Sequence, residues 1–149
     1  MKALLPALAL CLAPVVAPAA EGVWNSAGGQ GTYEYSVSDT KGDTLRLVNA
    51  SAAETQGEAC YLELEADRLK LPTSYRMTIE SGGETFQFAM AKGRSDLTTK
   101  TDREQLFGFV DTLYKPRKPT FTVSVPNSKL VFATKNAAKA LVDALDGCN

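Results

Sequence analysis

The sequence predicts a mainly β protein of the α+β class: an antiparallel β-sheet or sandwich of about six to eight strands, with one internal helix and one C-terminal helix packed on it. Three observations predict this fold. Short segments between residues 33 and 90 alternate apolar and polar side chains with a period of two, and turn residues separate them. From Asp102 the apolar residues recur instead at helical spacing. From Asn136 to the end of the chain, small apolar residues show that helical spacing again.

The predicted strands form pairs around turns. The segments with period-two alternation are residues 33–37, 44–48, 60–65, 75–79, 85–90, 120–125 and 129–134. Gly42, Gly82 and Asn127 lie in the gaps of three successive pairs, and these residue types tolerate the backbone conformations of tight turns. The three pairs are therefore predicted to be β-hairpins. A weaker strand is predicted over residues 96–101, where Leu97 is the single large apolar residue.

An internal amphipathic helix is predicted after these strands. Asp102, with Gln105 three residues later, resembles a capping box, so the helix is expected to begin at Asp102. Pro116 cannot continue a helix and is expected to end it. The large apolar residues at positions i, i+3, i+4 and i+7 of this helix are Leu106, Phe109, Val110 and Leu113.

A C-terminal helix is predicted from Asn136, as its cap, through about Leu145, and Gly147 is expected to end it. Small side chains let a helix approach a sheet closely, so we expect this helix to pack on the sheet. The residues along its apolar side are Ala137, Ala140, Leu141, Ala144, Leu145 and Cys148.

The first residues have the pattern of a secretory signal peptide. Lys2 provides a positive charge, residues 3–16 contain no charge, and Ala17-Pro18-Ala19 provides the small residues that signal peptidase recognises. Residues 1–19 are therefore predicted to be a signal peptide that is cleaved after Ala19 or Ala20. The mature protein is expected to be soluble and either periplasmic or secreted.

Two other roles for the N-terminal segment are disfavoured. Its apolar run is shorter than the ~20 residues that span a bilayer. A lipoprotein anchor needs a small residue before the modified cysteine, whereas Leu10 precedes Cys11. Beyond the signal, residues 20–32 are rich in Gly, Ser and Asn and are predicted to be a flexible arm. Residues 33–149 are predicted to form a single β-rich domain without a transmembrane segment.

The cysteine count predicts a disulfide. Of three cysteines, Cys11 leaves with the signal peptide, so that Cys60 and Cys148 remain in the mature protein. In an oxidising compartment two cysteines allow one intramolecular pairing, and we predict a Cys60–Cys148 bridge. Such a bridge would stabilise the fold by about 4 kcal/mol on the chain-entropy model. The alternative is a pair of buried free thiols.

Composition excludes several kinds of chemistry. The chain contains no histidine, which removes Ser-His-Asp and Cys-His catalysis and the commonest zinc ligand. We therefore predict no catalytic residue, no metal site and no cofactor. Without Lys2 the 16 basic residues become 15, against 17 acidic residues, and this balance does not predict binding to nucleic acid. Glu63 and Glu65 share a strand face, where solvated carboxylates are the commoner interpretation.

The densest group of basic residues is the candidate partner-binding site. It consists of Lys115, Arg117 and Lys118. Pro116 separates Lys115 from Arg117, and Pro119 follows Lys118. Such a cluster is able to contact an acidic protein or an anionic component of the cell envelope. The alternative is an ordinary solvated loop between a helix and a strand.

The C-terminal half carries a family resemblance. A helix with Leu106 and Leu113 precedes a strand that ends in Phe132-Ala133-Thr134, and this strand runs into Ala137-Ala138-Lys139-Ala140-Leu141 and Leu145. The arrangement resembles the invasion-associated locus B family of alphaproteobacterial periplasmic proteins. The resemblance implies an envelope role linked to host-cell entry and implies no catalytic residue.

These observations favour an exported, non-enzymatic binding module that interacts with an unknown protein or cell-envelope partner. The alternative is a small periplasmic enzyme inhibitor or immunity-type protein that uses a protruding loop. An enzyme would need polar groups that converge in a pocket, and carboxylates are the remaining candidates for that role.

Overall fold

The computed structural model describes residues 22–29, 31–50, 60–95 and 97–148. The predicted signal peptide, residues 1–19, lies outside the described residues. In chain order the elements are β1 (Asn25–Gly29), β2 (Thr32–Ser38), β3 (Thr44–Ala50), β4 (Cys60–Glu65), β5 (Ser74–Ser81), β6 (Glu84–Ala91), β7 (Arg94–Ser95), α1 (Lys100–Tyr114), β8 (Thr120–Val125), β9 (Ser128–Ala133) and α2 (Ala137–Ala140).

The described strands form one antiparallel sheet in the spatial order β1-β2-β3-β4-β7-β6-β5-β8-β9. The fold is therefore mainly β with one internal and one C-terminal helix, as the sequence predicts. The predicted hairpins are confirmed as the pairs β2–β3, β5–β6 and β8–β9. The strand number exceeds the predicted six to eight because β1 and the two-residue β7 join the sheet.

The sheet curves around α1. The apolar residues of the strands lie on the inner face and form one continuous core with Leu106, Phe109, Val110 and Leu113 of the helix. α1 contacts β5 and β6, and α2 packs against α1. The two ends of the sheet also approach each other: β2 contacts β9, and the backbone N–H of Trp24 donates to the Lys135 carbonyl over 3.0 Å.

The N-terminal arm prediction is wrong for the described part of residues 20–32. Asn25–Gly29 pairs with β2 over five residues, and Trp24 is 1% exposed, with its ring stacked on Phe121. The glycine-rich composition concealed this strand, since its residues are too small to show alternation. The free energy gained by burying the Trp24 ring and pairing the backbone holds this segment on the sheet.

The segment before α1 also differs from its prediction. No strand runs over residues 97–101. Instead β7 ends at Ser95, whose Oγ accepts a hydrogen bond from the Leu62 N–H over 2.9 Å, and α1 begins at Lys100. Thr99 is the N-cap and forms a capping box with Asp102, which is at N3 rather than at the cap. A β-region N-cap with a hydroxyl satisfies free backbone donors at the helix start, so the boundary moves to Thr99.

The C-terminal helix is shorter than predicted. α2 covers Ala137–Ala140 and is followed by turns through Gly147. Asn136 has φ +65° and caps no helical N–H with its side chain, which instead donates to the Trp24 carbonyl over 2.9 Å. Asp143, with φ +63°, interrupts the helical backbone. We call residues 141–147 the C-terminal segment.

Candidate functional site

The basic loop, residues 115–119, connects α1 to β8. Lys115 is the C-cap of α1, and all five residues of the loop are exposed. A lysine at this place is favourable because the C-terminal end of a helix carries partial negative charge. The structure thus brings Lys115, Arg117 and Lys118 together on the surface, as their adjacency in the sequence requires.

Thr134 anchors the end of the basic loop. Its N–H donates to the Pro119 carbonyl over 2.9 Å, and its hydroxyl donates to the Lys118 carbonyl over 2.9 Å. Thr134 is buried, and Pro119 has a restricted backbone. The loop is therefore held at its C-terminal end by the residue that directly follows β9.

The cations of the basic loop have no acidic neighbour in salt-bridge contact. Within the described ranges, none of Lys115, Arg117 and Lys118 is in an ion pair. Lys135, which directly follows the anchor Thr134, is exposed and adds a fourth cation beside the loop. Sequence reasoning missed Lys135 because the contact between Thr134 and residue 118 exists only in the folded chain.

The predicted Cys60–Cys148 disulfide is present. It joins the first residue of β4 to Cys148, which directly follows the C-terminal segment, with a Cα–Cα distance of 5.4 Å. Both cysteines are buried. The bridge therefore fixes the C-terminal segment to the sheet.

The carboxylates of Glu63 and Glu65 are both engaged in ion pairs. Arg46 on the neighbouring strand contacts both carboxylates, and the Arg94 Nε lies 3.1 Å from Glu63 Oε1. This outer-face network balances the charge of the two glutamates. They consequently do not form the converging polar pocket that acid/base catalysis requires.

A second candidate site, which the sequence did not predict, is a cleft of about 850 Å³ that we call the tyrosine cleft. The strands β1, β2 and β3 form one wall, with Gly28, Tyr33, Tyr35 and Asn49. α2 and the C-terminal segment form the other wall, with Lys139, Val142, Asp143 and Asp146.

The Tyr33 ring lies over Gly28 of the neighbouring strand β1, and much of the ring remains exposed in the cleft. Gly28 and Tyr33 are register partners, and a Cβ on Gly28 would overlap the Tyr33 ring. The ring thus covers the glycine backbone and keeps 55% of the surface of Tyr33 accessible. Tyr35, two residues further along β2, is only 6% exposed and forms the inner part of the same wall.

The opposite wall is held in place by hydrogen bonds to the core. The Asn49 side-chain amide donates to the Ala144 carbonyl over 3.1 Å and to the Asp146 carbonyl over 2.8 Å. The Tyr114 hydroxyl donates to the Leu141 carbonyl over 2.8 Å. Together with the disulfide, these bonds give the C-terminal segment a defined position although it is irregular.

Carboxylates of the C-terminal segment lie near two tyrosine hydroxyls. Burial is the main cause that raises the pKa of Tyr35, and the Asp143 carboxylate is the next. Burial likewise raises the pKa of Tyr114, with further contributions from Asp111, Asp143 and Asp146. Asp143 and Asp146 thus both contribute to the raised pKa of a tyrosine on β2, Tyr35, and of a tyrosine on α1, Tyr114.

A smaller cavity of about 370 Å³ lies beside Tyr75, whose buried hydroxyl has no hydrogen-bond partner. Among the described residues, no three side chains of the types His, Cys, Asp and Glu are grouped as metal ligands would be. No helix in the described part of the chain is long and apolar enough to cross a membrane.

Comparison with known protein families gives a match over most of the chain. The model of the family described as YfjT matches residues 22–141. This range runs from the segment before β1 through α2 and includes the whole basic loop. Neither a curated protein nor a solved structure matches the chain.

Proposed function

The chain belongs to the YfjT family, and we propose that it is an exported, non-enzymatic binding protein of the bacterial envelope that recognises an acidic protein surface through the basic loop. The broader setting of this proposal is the envelope role linked to host-cell entry that the resemblance to the invasion-associated locus B family implies. Export would place the Cys60–Cys148 disulfide in an oxidising compartment, where such bonds form and persist.

The observation that carries the proposal is the unpaired and anchored state of the basic loop. Three exposed cations lie within four residues, and no described carboxylate forms an ion pair with them. A partner therefore does not have to break an existing ion pair to contact them. The Thr134 anchor and the prolines reduce the conformational entropy that the loop loses on binding.

The charge of the loop also predicts how binding would proceed. Unpaired surface cations attract an acidic partner over distances of about a Debye length, which raises the association rate at low salt. Rim charges of this kind contribute more to association rate and specificity than to raw affinity. We therefore expect binding that weakens as the salt concentration rises.

The test compares two triple variants of equal net charge. Lys115→Ala/Arg117→Ala/Lys118→Ala removes the basic loop, whereas Lys41→Ala/Lys70→Ala/Lys100→Ala removes three exposed lysines elsewhere. Partners are captured from envelope extract by cross-linking to the wild type, and the purified partner is then titrated at low and high salt. The loop variant should bind at least about tenfold more weakly at low salt, and the control variant should bind like the wild type. Equal loss in both variants would refute a specific role of the loop.

A second candidate function, enzyme inhibition, is favoured by the rigidity of the same loop. Inhibitors present a fixed, protruding segment, and Thr134 fixes both Lys118 and Pro119 through their carbonyls. If the captured partner is a hydrolase, its activity is measured with increasing wild-type protein and with the loop variant. Inhibition that disappears in the loop variant would favour an inhibitor, and binding without inhibition would favour the non-enzymatic binding protein proposed first.

A further inference from the structure

The tyrosine cleft has the size and composition of a small-molecule site. Its volume of about 850 Å³ falls in the range of roughly 300–1,000 Å³ that is typical of ligand pockets. Its walls combine an exposed aromatic ring, apolar side chains such as Val142, and a few polar groups. Both walls are tied to the core, so the cleft is preformed.

The charges along the cleft are unbalanced. Asp143 and Asp146 contribute two carboxylates, and Lys139 contributes one ammonium group. Neither carboxylate forms an ion pair with a residue that the structure describes.

Tyr35 gives an independent indication of a ligand. It is buried to more than nine-tenths and lines the cleft, yet its hydroxyl has no hydrogen-bond partner among the described residues. Unlike the Tyr75 hydroxyl, which is buried without a partner, the Tyr35 hydroxyl is open to solvent on the side of the cleft. A hydroxyl that faces the cleft without a protein partner is available to a bound molecule.

We propose that the tyrosine cleft binds a small organic cation that carries an amine or guanidinium group and an apolar part. The cationic group lies between the Asp143 and Asp146 carboxylates and the exposed face of the Tyr33 ring, which attracts cations through its quadrupole. The apolar part lies against Val142, and the Tyr35 hydroxyl hydrogen-bonds to a polar atom of the ligand. This site is separate from the basic loop and does not depend on the function proposed for that loop.

The test uses three probes of one shape and different charge. The protein is titrated with 2-phenylethylammonium, with 2-phenylethanol and with 3-phenylpropionate, and binding is followed by calorimetry and by amide chemical shifts. The cation should bind at least about tenfold more tightly than the alcohol. The anion should bind most weakly, and the largest shifts should fall on residues that line the cleft.

Variants locate the binding site. Asp143→Asn/Asp146→Asn should weaken binding of 2-phenylethylammonium about tenfold, and Tyr33→Ala about threefold. Asparagine tolerates the positive φ of residue 143, so the double variant should keep the fold, which circular dichroism verifies. Glu84→Gln removes an exposed carboxylate outside the cleft and should leave affinity unchanged.

Three results would overturn the proposal. The first is no detectable binding of 2-phenylethylammonium, and the second is binding of the neutral or anionic probe as tightly as the cation. The third is unchanged affinity in the folded Asp143→Asn/Asp146→Asn variant. The triple alanine variant of the basic loop should bind the cation like the wild type, so that failure here and failure of the proposed function are distinguishable.

Discussion

Breaking the Cys60–Cys148 disulfide should destabilise the protein strongly, because the bond restricts the unfolded chain over most of the domain. The cysteines are 88 residues apart in sequence. For a closed loop of that length the chain-entropy relation gives about 4.5 kcal/mol at 25 °C. In the folded protein the same segment keeps its two hydrogen bonds from Asn49 and the buried side chains of Leu141 and Ala144. We therefore expect the reduced protein to fold, with a much lower free energy of unfolding.

The assay compares three forms of the protein by urea titration: oxidised wild type, reduced wild type and Cys60→Ala/Cys148→Ala. Both forms without the bridge should lose about 4.5 kcal/mol, which corresponds to a fall in Tm of roughly 13–22 °C for a domain of this size. The m-value should rise, since the unbridged chain exposes more surface when unfolded. The reduced wild type retains both sulfur atoms, so it separates the effect of the cross-link from the effect of lost side-chain volume.

One measurement must precede the titration, and one result would refute the reasoning. Reduction should raise the intact mass by about two daltons, which establishes that the bridge exists in the purified protein. If the bridge is present and its removal lowers the free energy of unfolding by less than about 1 kcal/mol, chain entropy does not explain its role. The native contacts of the C-terminal segment alone would then account for its position.

Three other predictions concern the core and the tyrosine cleft. Asn49→Ala removes one buried and one partly buried hydrogen bond to the C-terminal segment and should cost about 1–3 kcal/mol in urea titration; a cost below about 0.5 kcal/mol would contradict this role. The raised pKa values of Tyr35 and Tyr114 stabilise the fold fully below the unfolded pKa of about 10, and this stability should be lost as pH rises through the folded-state pKa. Tyr35→Phe should reduce that loss, measured as Tm between neutral and alkaline pH; an unchanged pH profile would exclude Tyr35 as a cause. A Cβ on Gly108 would lie 2.8 Å from the Phe86 ring, so Gly108→Ala should lower Tm despite better helix propensity, and a higher Tm would show that the ring moves aside.

Local sequence patterns were sufficient to predict much of the fold. Alternation with period two predicted three hairpins that the sheet contains, because the two faces of a strand have different surroundings. The spacing of Leu106 and Leu113 predicted α1, because apolar residues at helical spacing lie on the one side of a helix that faces the core. The Cys60–Cys148 pairing needed only a count, once Cys11 was assigned to the signal peptide.

The errors lie where contacts distant in sequence decide the conformation. β1 has almost no large side chains, so only its pairing with β2 and the burial of Trp24 show that it is a strand. Helical spacing predicted a longer C-terminal helix, but Asn136 and Asp143 adopt positive φ values. The carbonyls that this irregular backbone leaves free are bonded from distant residues such as Asn49.

The sequence by itself determined the fold class, the hairpins, the internal helix, the disulfide pair and the exposed basic loop. Each of these depends on neighbouring residues or on a residue count, and such information is local. Only the tertiary structure decided the tyrosine cleft, which unites Tyr33 and Tyr35 with Asp143 and Asp146 across more than a hundred residues of chain. Its shape results from curvature of the sheet and from hydrogen bonds between distant segments, and neither leaves a periodic signal in the sequence.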